Sequence, residues 1–160
     1  MIALRAAFAA VLFRVLAPAA AHAQETRVQP ELRADAILSD RQVVQGGVGV
    51  NIPAGYYARI GVIAAGGADI ESGFATAAGR LDVMARFLLD PFRQARWGLS
   101  VGGGVSLRAR EGDRVRPYLL TIVELEGPRM HAGWSPALQV GLGGGVRVGV
   151  GLRRGAERFR

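Results

Sequence analysis

Glu124, Glu126, His131 and Ser135 fall close together in the chain and are of the types that could perform acyl transfer. A serine nucleophile, a histidine base and a carboxylate to orient it form such a site only when all three converge. The spacing argues against convergence, because Ser135 lies four residues after His131 inside the run Trp134-Ser135-Pro136. A loop histidine in solvent accounts for His131 more simply, so no enzyme and no catalytic residue are expected. Metal chemistry is as poorly supplied: the sequence has no cysteine, its two histidines are His22 and His131, and its carboxylates lack the spacing of a metal loop. The run Gly102-Gly103-Gly104 could cradle a phosphate, but such a loop needs a lysine and a Ser or Thr opening a helix. Here Val105-Ser106-Leu107 follows. No metal and no cofactor are expected.

The remaining chemistry is charge. Basic residues are all arginine, and the net charge is +7 with a pI of about 11.3. The arginines are scattered instead of being bunched on a helix or stripe, which speaks against a nucleic-acid partner. Arg153, Arg154, Arg158 and Arg160 read as a solvated basic tail. Residues 1–23, MIALRAAFAAVLFRVLAPAAAHA, have a short basic start, an apolar run and the small-x-small ending Ala21-His22-Ala23. This predicts a secretory signal with Gln24 as the mature N-terminus; the uninterrupted apolar stretch is too short for a membrane-spanning helix. Residues 24–160 are expected to form a single β-barrel domain.

The elements that would position these groups are strands. Leu81, Val83, Ala85, Phe87 and Leu89 alternate with Arg80, Asp82 and Arg86, and Leu99, Val101, Val105 and Leu107 alternate with Ser100, Gly102, Gly104, Ser106 and Arg108. The pattern predicts strands near 27–38, 42–52, 55–66, 73–89, 96–110, 114–125, 134–142 and 146–153, with turn residues between them. Short connections imply an antiparallel up-and-down meander, which hides its edges most simply by closing into a barrel. Alternation does not decide whether Gly143-Gly144-Gly145 is a turn or the middle of one strand over 134–153. The count is therefore eight or seven, and eight is favoured by the even number found in single-chain bacterial membrane barrels.

One phase of every strand is apolar. The other mixes glycine with charge, including Glu31, Arg33, Asp35, Arg59, Arg80, Asp82, Arg86, Arg108, Arg116, Glu124 and Arg147. Glycine weakens a strand facing water, whereas inside a narrow eight-stranded barrel large guanidinium groups need small neighbours and carboxylate partners. The charges are thus expected inside, packed as a plug with no evident pore, and the apolar phase outside in lipid. Tyr56, Phe87, Trp97 and Trp134 lie in the apolar phase beside the turns on the side of the chain termini, as an interfacial girdle requires. Phe74 and Tyr118 fall near the opposite rim.

A signal, alternating strands with glycine-rich middles and aromatic residues at the rim together resemble the small outer-membrane β-barrel proteins of Gram-negative-type bacteria. The resemblance implies outer-membrane lipids and the barrel assembly machinery as partners, a monomer, a structural or binding role, and a location in the outer membrane, or alternatively the periplasm. Some such barrels are lipid-modifying hydrolases, the use to which His131 and Ser135 would be put. A soluble periplasmic barrel or sandwich binding a lipid-like ligand is the alternative, with the apolar phase as its core. One departure stands out: these barrels finish on a strand-terminal aromatic, whereas here Leu152 is followed by RRGAERFR with Phe159 out of phase.

Overall fold

The computed structural model describes residues 28–39, 41–71, 74–92 and 95–154. The signal expected over residues 1–23, Phe159, and the tail arginines Arg158 and Arg160 lie outside the described residues. Eight strands follow one another: β1 (Gln29–Leu38), β2 (Gln42–Ala54), β3 (Ala58–Glu71), β4 (Phe74–Leu88), β5 (Gly98–Arg110), β6 (Arg116–Glu126), β7 (Trp134–Leu142) and β8 (Val146–Arg154). Each pairs antiparallel with its neighbours, and β8 pairs with β1, so the sheet is a closed barrel. Closure leaves no free edge, as the meander of alternating strands requires.

The strand count is settled at Gly143-Gly144-Gly145. Gly144 has φ +69° and Gly145 φ +141°, both in the region that side chains disfavour, and the Gly143 amide donates to the Gly145 carbonyl at 3.1 Å. Two adjacent left-handed residues reverse the chain, so 134–153 is a hairpin and not one strand. The ladders differ in length. β3 and β4 are in register from Ala58↔Phe87 to Glu71↔Phe74, but β6 and β7 only from Thr121↔Leu142 to Glu126↔Ala137.

The two phases lie as the alternation predicts. Leu32, Val48, Val83, Val105, Val123, Val140 and Val150 are exposed on the outside, while Arg80, Asp82, Arg86, Glu124 and Arg147 are buried inside. Within the eight strands no charged residue projects outward until Arg154 at the end of the last one. The interior is not wholly polar, however. Ile63, Met84, Leu120 and Ile122 form a buried apolar cluster along β3, β4 and β6, in the phase read as small or charged. Burial of such side chains contributes about 1.5–3 kcal/mol each relative to exposure, so this wall steadies the barrel without needing partners.

The triple glycine of β5 serves close approach. A Cβ at Gly102 would stand 2.4 Å from the Ala85 carbonyl oxygen, and one at Gly104 only 2.0 Å from that of Val83. Both inward positions let β4 fold over β5, the local bend that barrel closure demands. Gly79 sits in the outward phase of β4, beside the buried Arg80.

Candidate functional site: the ion-paired lumen and its two ends

The inward charges assemble into two groups stacked along the barrel. The lower group, toward the chain termini, is built on Glu31, Glu124 and Glu126. Arg153 donates to all three, at 2.8 Å to Glu31, 2.9 Å to Glu124 and 2.8 Å to Glu126. Arg86 lies 3.4 Å from Glu31 and 3.5 Å from Glu124, and Arg59 donates to Glu126 at 2.7 Å. Asn51 donates to Glu31 at 2.7 Å and accepts from Arg86 at 2.8 Å, so its amide locks two charged groups in place.

The upper group is built on Asp35 and Asp82. Arg147 donates to Asp82 at 2.7 Å and reaches Asp35 at 3.3 Å, while Arg80 bonds Asp35 and lies 3.1 Å from Asp82. Arg33 joins the groups, reaching Asp35 at 2.7 Å, Glu31 at 3.1 Å and the Gln139 side-chain oxygen. Arginines and carboxylates alternate, so the buried charge is neutralised locally, which burial in low dielectric requires.

Of the interior charges read from the sequence, Arg80, Asp82, Arg86 and Glu124 are buried in this network, and Arg59 is half-buried at its lower end. Arg108 sits higher: its guanidinium donates to the Gly143 carbonyl and, at 3.1 Å, to that of Gly144, and lies 5.1 Å over the Tyr118 ring. Arg116 has the inward phase but stands at the first residue of β6, exposed at the mouth, above the packed charges. Two members were misplaced by the sequence reading. Arg153, taken as basic tail, is 1% exposed at the hub of the lower group, and Glu126, taken as a turn residue, ends β6 pointing inward. The signal was there: Arg147, Gly149, Gly151 and Arg153 hold one phase.

His131 and Ser135 are not brought together. His131 is exposed in the segment 127–133, whereas Ser135 is buried on the inward face of β7, and no hydrogen bond among the described residues links them. Among the described residues no group of His, Cys, Asp and Glu is arranged to hold a metal ion.

The ends of the barrel differ. On the side of the termini Tyr56, Phe87 and Trp97 are exposed and Trp134 half-buried, and Tyr57 stacks on Phe87 at 6.0 Å with Phe92 edge-on at 6.2 Å. At the opposite mouth the aromatics belong to the inner phase: Tyr118 lies under Arg108, and Phe74 is exposed at the start of β4. A soluble barrel with the apolar phase as its core is not the arrangement found, because that phase forms the outer surface.

A closed, all-antiparallel eight-stranded barrel with charges inside and an apolar exterior is the architecture of the small outer-membrane β-barrel proteins. The crystal structure of Neisserial surface protein A has the same fold: it superposes with a TM-score of 0.60 at 11% identity, over 79% of this chain and 94% of that one. No protein-family model matches the chain, and no curated protein does.

Proposed function

We propose that the protein is a monomeric outer-membrane barrel, exported by its N-terminal signal and inserted by the barrel assembly machinery, whose role is structural or binding. It is neither a pore nor an enzyme, and it binds no nucleic acid. The observation that carries this reading is the inversion of polarity: a locally neutralised ionic interior inside an exterior without charge from β1 to the rim. Water offers no reason to expose Leu32, Val48, Val105 and Leu142 together, whereas lipid does. The wall of aromatics on the terminus side fits the headgroup zone.

Fractionation tests it. The protein should sediment with outer membranes, migrate as distinct folded and unfolded bands before and after boiling, and show tryptophan quenching by headgroup-brominated lipid. A detergent-free soluble monomer whose tryptophans ignore brominated lipid would overturn it. Planar bilayers should show no conductance, and phospholipid or lipid A hydrolysis should be absent. Hydrolysis lost in both Ser135→Ala and His131→Ala, with folding intact, would make the protein an enzyme after all.

A further inference from the structure

The lumen carboxylates and guanidinium groups are paired with one another, although Arg80, Asp82, Arg86, Ser106 and Gln139 keep side-chain atoms without a hydrogen-bond partner among the described residues; at the mouth above them two guanidinium groups are not paired. Between Ser39, Arg41 and the turns 111–115 and 143–145 lies an open cavity of about 320 Å³, the size of a small-ligand site. Among its described lining residues are five arginines against two carboxylates. Arg41 and Arg110 are held by Glu71, each at 3.2 Å, and Arg108 by the Gly143 and Gly144 carbonyls. Arg114 and Arg116 are exposed and make no ion pair or hydrogen bond among the described residues.

Two further groups in the same cavity are unsatisfied in the opposite sense. Gln45 is 2% exposed and Asp69 8%; Asp69 lies 3.7 Å from Arg110 through Oδ2, yet Gln45 Oε1 and Asp69 Oδ1 accept no hydrogen bond among the described residues. Buried acceptors of this kind call for a donor. The two come from adjacent strands: Val43 is in register with Asp69 and Gln45 with Gly67. A metal cation is a poor candidate beside so many guanidinium groups. A ligand that satisfies the cavity must carry hydroxyls for the acceptors and an anionic group for the arginines, whose forked donors match phosphate and carboxylate.

We propose that the mouth is a binding site for a sugar-sized polyol bearing a phosphate or carboxylate. Arg114 and Arg116 take the anion, Arg108 presents a fixed charge beneath them, and Gln45 and Asp69 accept from the hydroxyls. The site deepens the binding role proposed above. The ligand chemistry has two sources, the acidic sugar headgroups of membrane glycolipids and free soluble sugar acids or phosphates.

Calorimetric titration of the full chain in detergent micelles with glucose 6-phosphate, glucuronate, inorganic phosphate and glucose tests it. The two acidic sugars should bind at least tenfold more tightly than phosphate, and glucose should not bind. The double substitution Arg114→Ala with Arg116→Ala, on exposed residues that folding does not need, should weaken the acidic sugars at least tenfold. Gln45→Leu should bring glucose 6-phosphate down to the level of phosphate and leave phosphate unchanged. Equal binding of phosphate and the acidic sugars, or affinities unmoved by the double substitution, would overturn the site. The shift between boiled and unboiled bands, read on the same samples, reports the barrel independently, so loss of binding with the shift retained counts against the site alone. Repeating the titration in nanodiscs containing a phosphorylated glucosamine lipid separates the sources: competition assigns the headgroup, and undiminished affinity assigns the free sugar.

Discussion

The two ends of this barrel use the same alternating strands to opposite purpose. On the terminus side the outward phase ends in Phe87, Trp97 and Trp134 and the inward phase in an ion-paired cluster around Arg153. At the mouth the outward phase ends in aliphatic residues such as Leu142 and Val146, while the inner side carries Arg114 and Arg116, unpaired among the described residues, and Gln45, whose Oε1 has no hydrogen-bond partner among them. One end is finished and the other is open. A barrel can therefore separate anchoring from recognition along its axis without an added domain, because phase sets the side a residue faces and height sets whether it is packed.

The largest expected effect breaks the finished end. Arg153→Ala leaves Glu31, Glu124 and Glu126 with a missing partner and should cost about 3–5 kcal/mol, the usual penalty for half of a buried ion pair. Urea unfolding in micelles, followed by the folded-band fraction, reads it. Arg116→Ala at the open end should fall within about 0.5 kcal/mol of the parent, as exposed substitutions do; equal losses at the two ends would abolish the contrast.

Next comes the exterior between the ends. Val105→Arg, outward near the middle of β5, should oppose insertion by roughly 2–4 kcal/mol, and Val146→Arg, outward at the mouth-side start of β8, by about 0–1 kcal/mol. Partitioning between folded and unfolded bands in lipid vesicles measures both. Gly104→Val drives a side chain into the Val83 carbonyl and should cost about 1–3 kcal/mol. Gly66→Ala, whose new Cβ would meet the Ala78 carbonyl oxygen only at 3.9 Å, should be nearly silent in the same assay. The smallest effect sharpens the terminus-side rim: a double-mutant cycle on Tyr57 and Phe87 should return about 0.5–1.5 kcal/mol for the stacked pair.

Alternation made the fold legible because the side-chain period of two survives any register. It placed Arg80, Asp82, Arg86 and Glu124 inside, and it would have placed Arg153 had the phase been followed through Gly149 and Gly151 to the end of β8. The apolar wall of Ile63, Met84, Leu120 and Ile122 was hidden for a different reason, since an apolar residue is stable on either face of a membrane barrel and its type does not declare its side. Arg116 shows the limit of phase without height. The mouth site was beyond reach, because Gln45, Asp69 and Arg116 meet only through the pairing of β2 with β3 and the closure of the ring.

Arg33 has a further consequence when the lumen is treated as a graph whose nodes are side chains and whose edges are ion pairs and hydrogen bonds. Among the described residues every path between the cluster on Glu31 and the cluster on Asp35 runs through Arg33, which makes it a cut vertex. Remove that node and the graph falls into two components. The lumen is then one continuous network of ion pairs and hydrogen bonds only while a single guanidinium keeps both contacts.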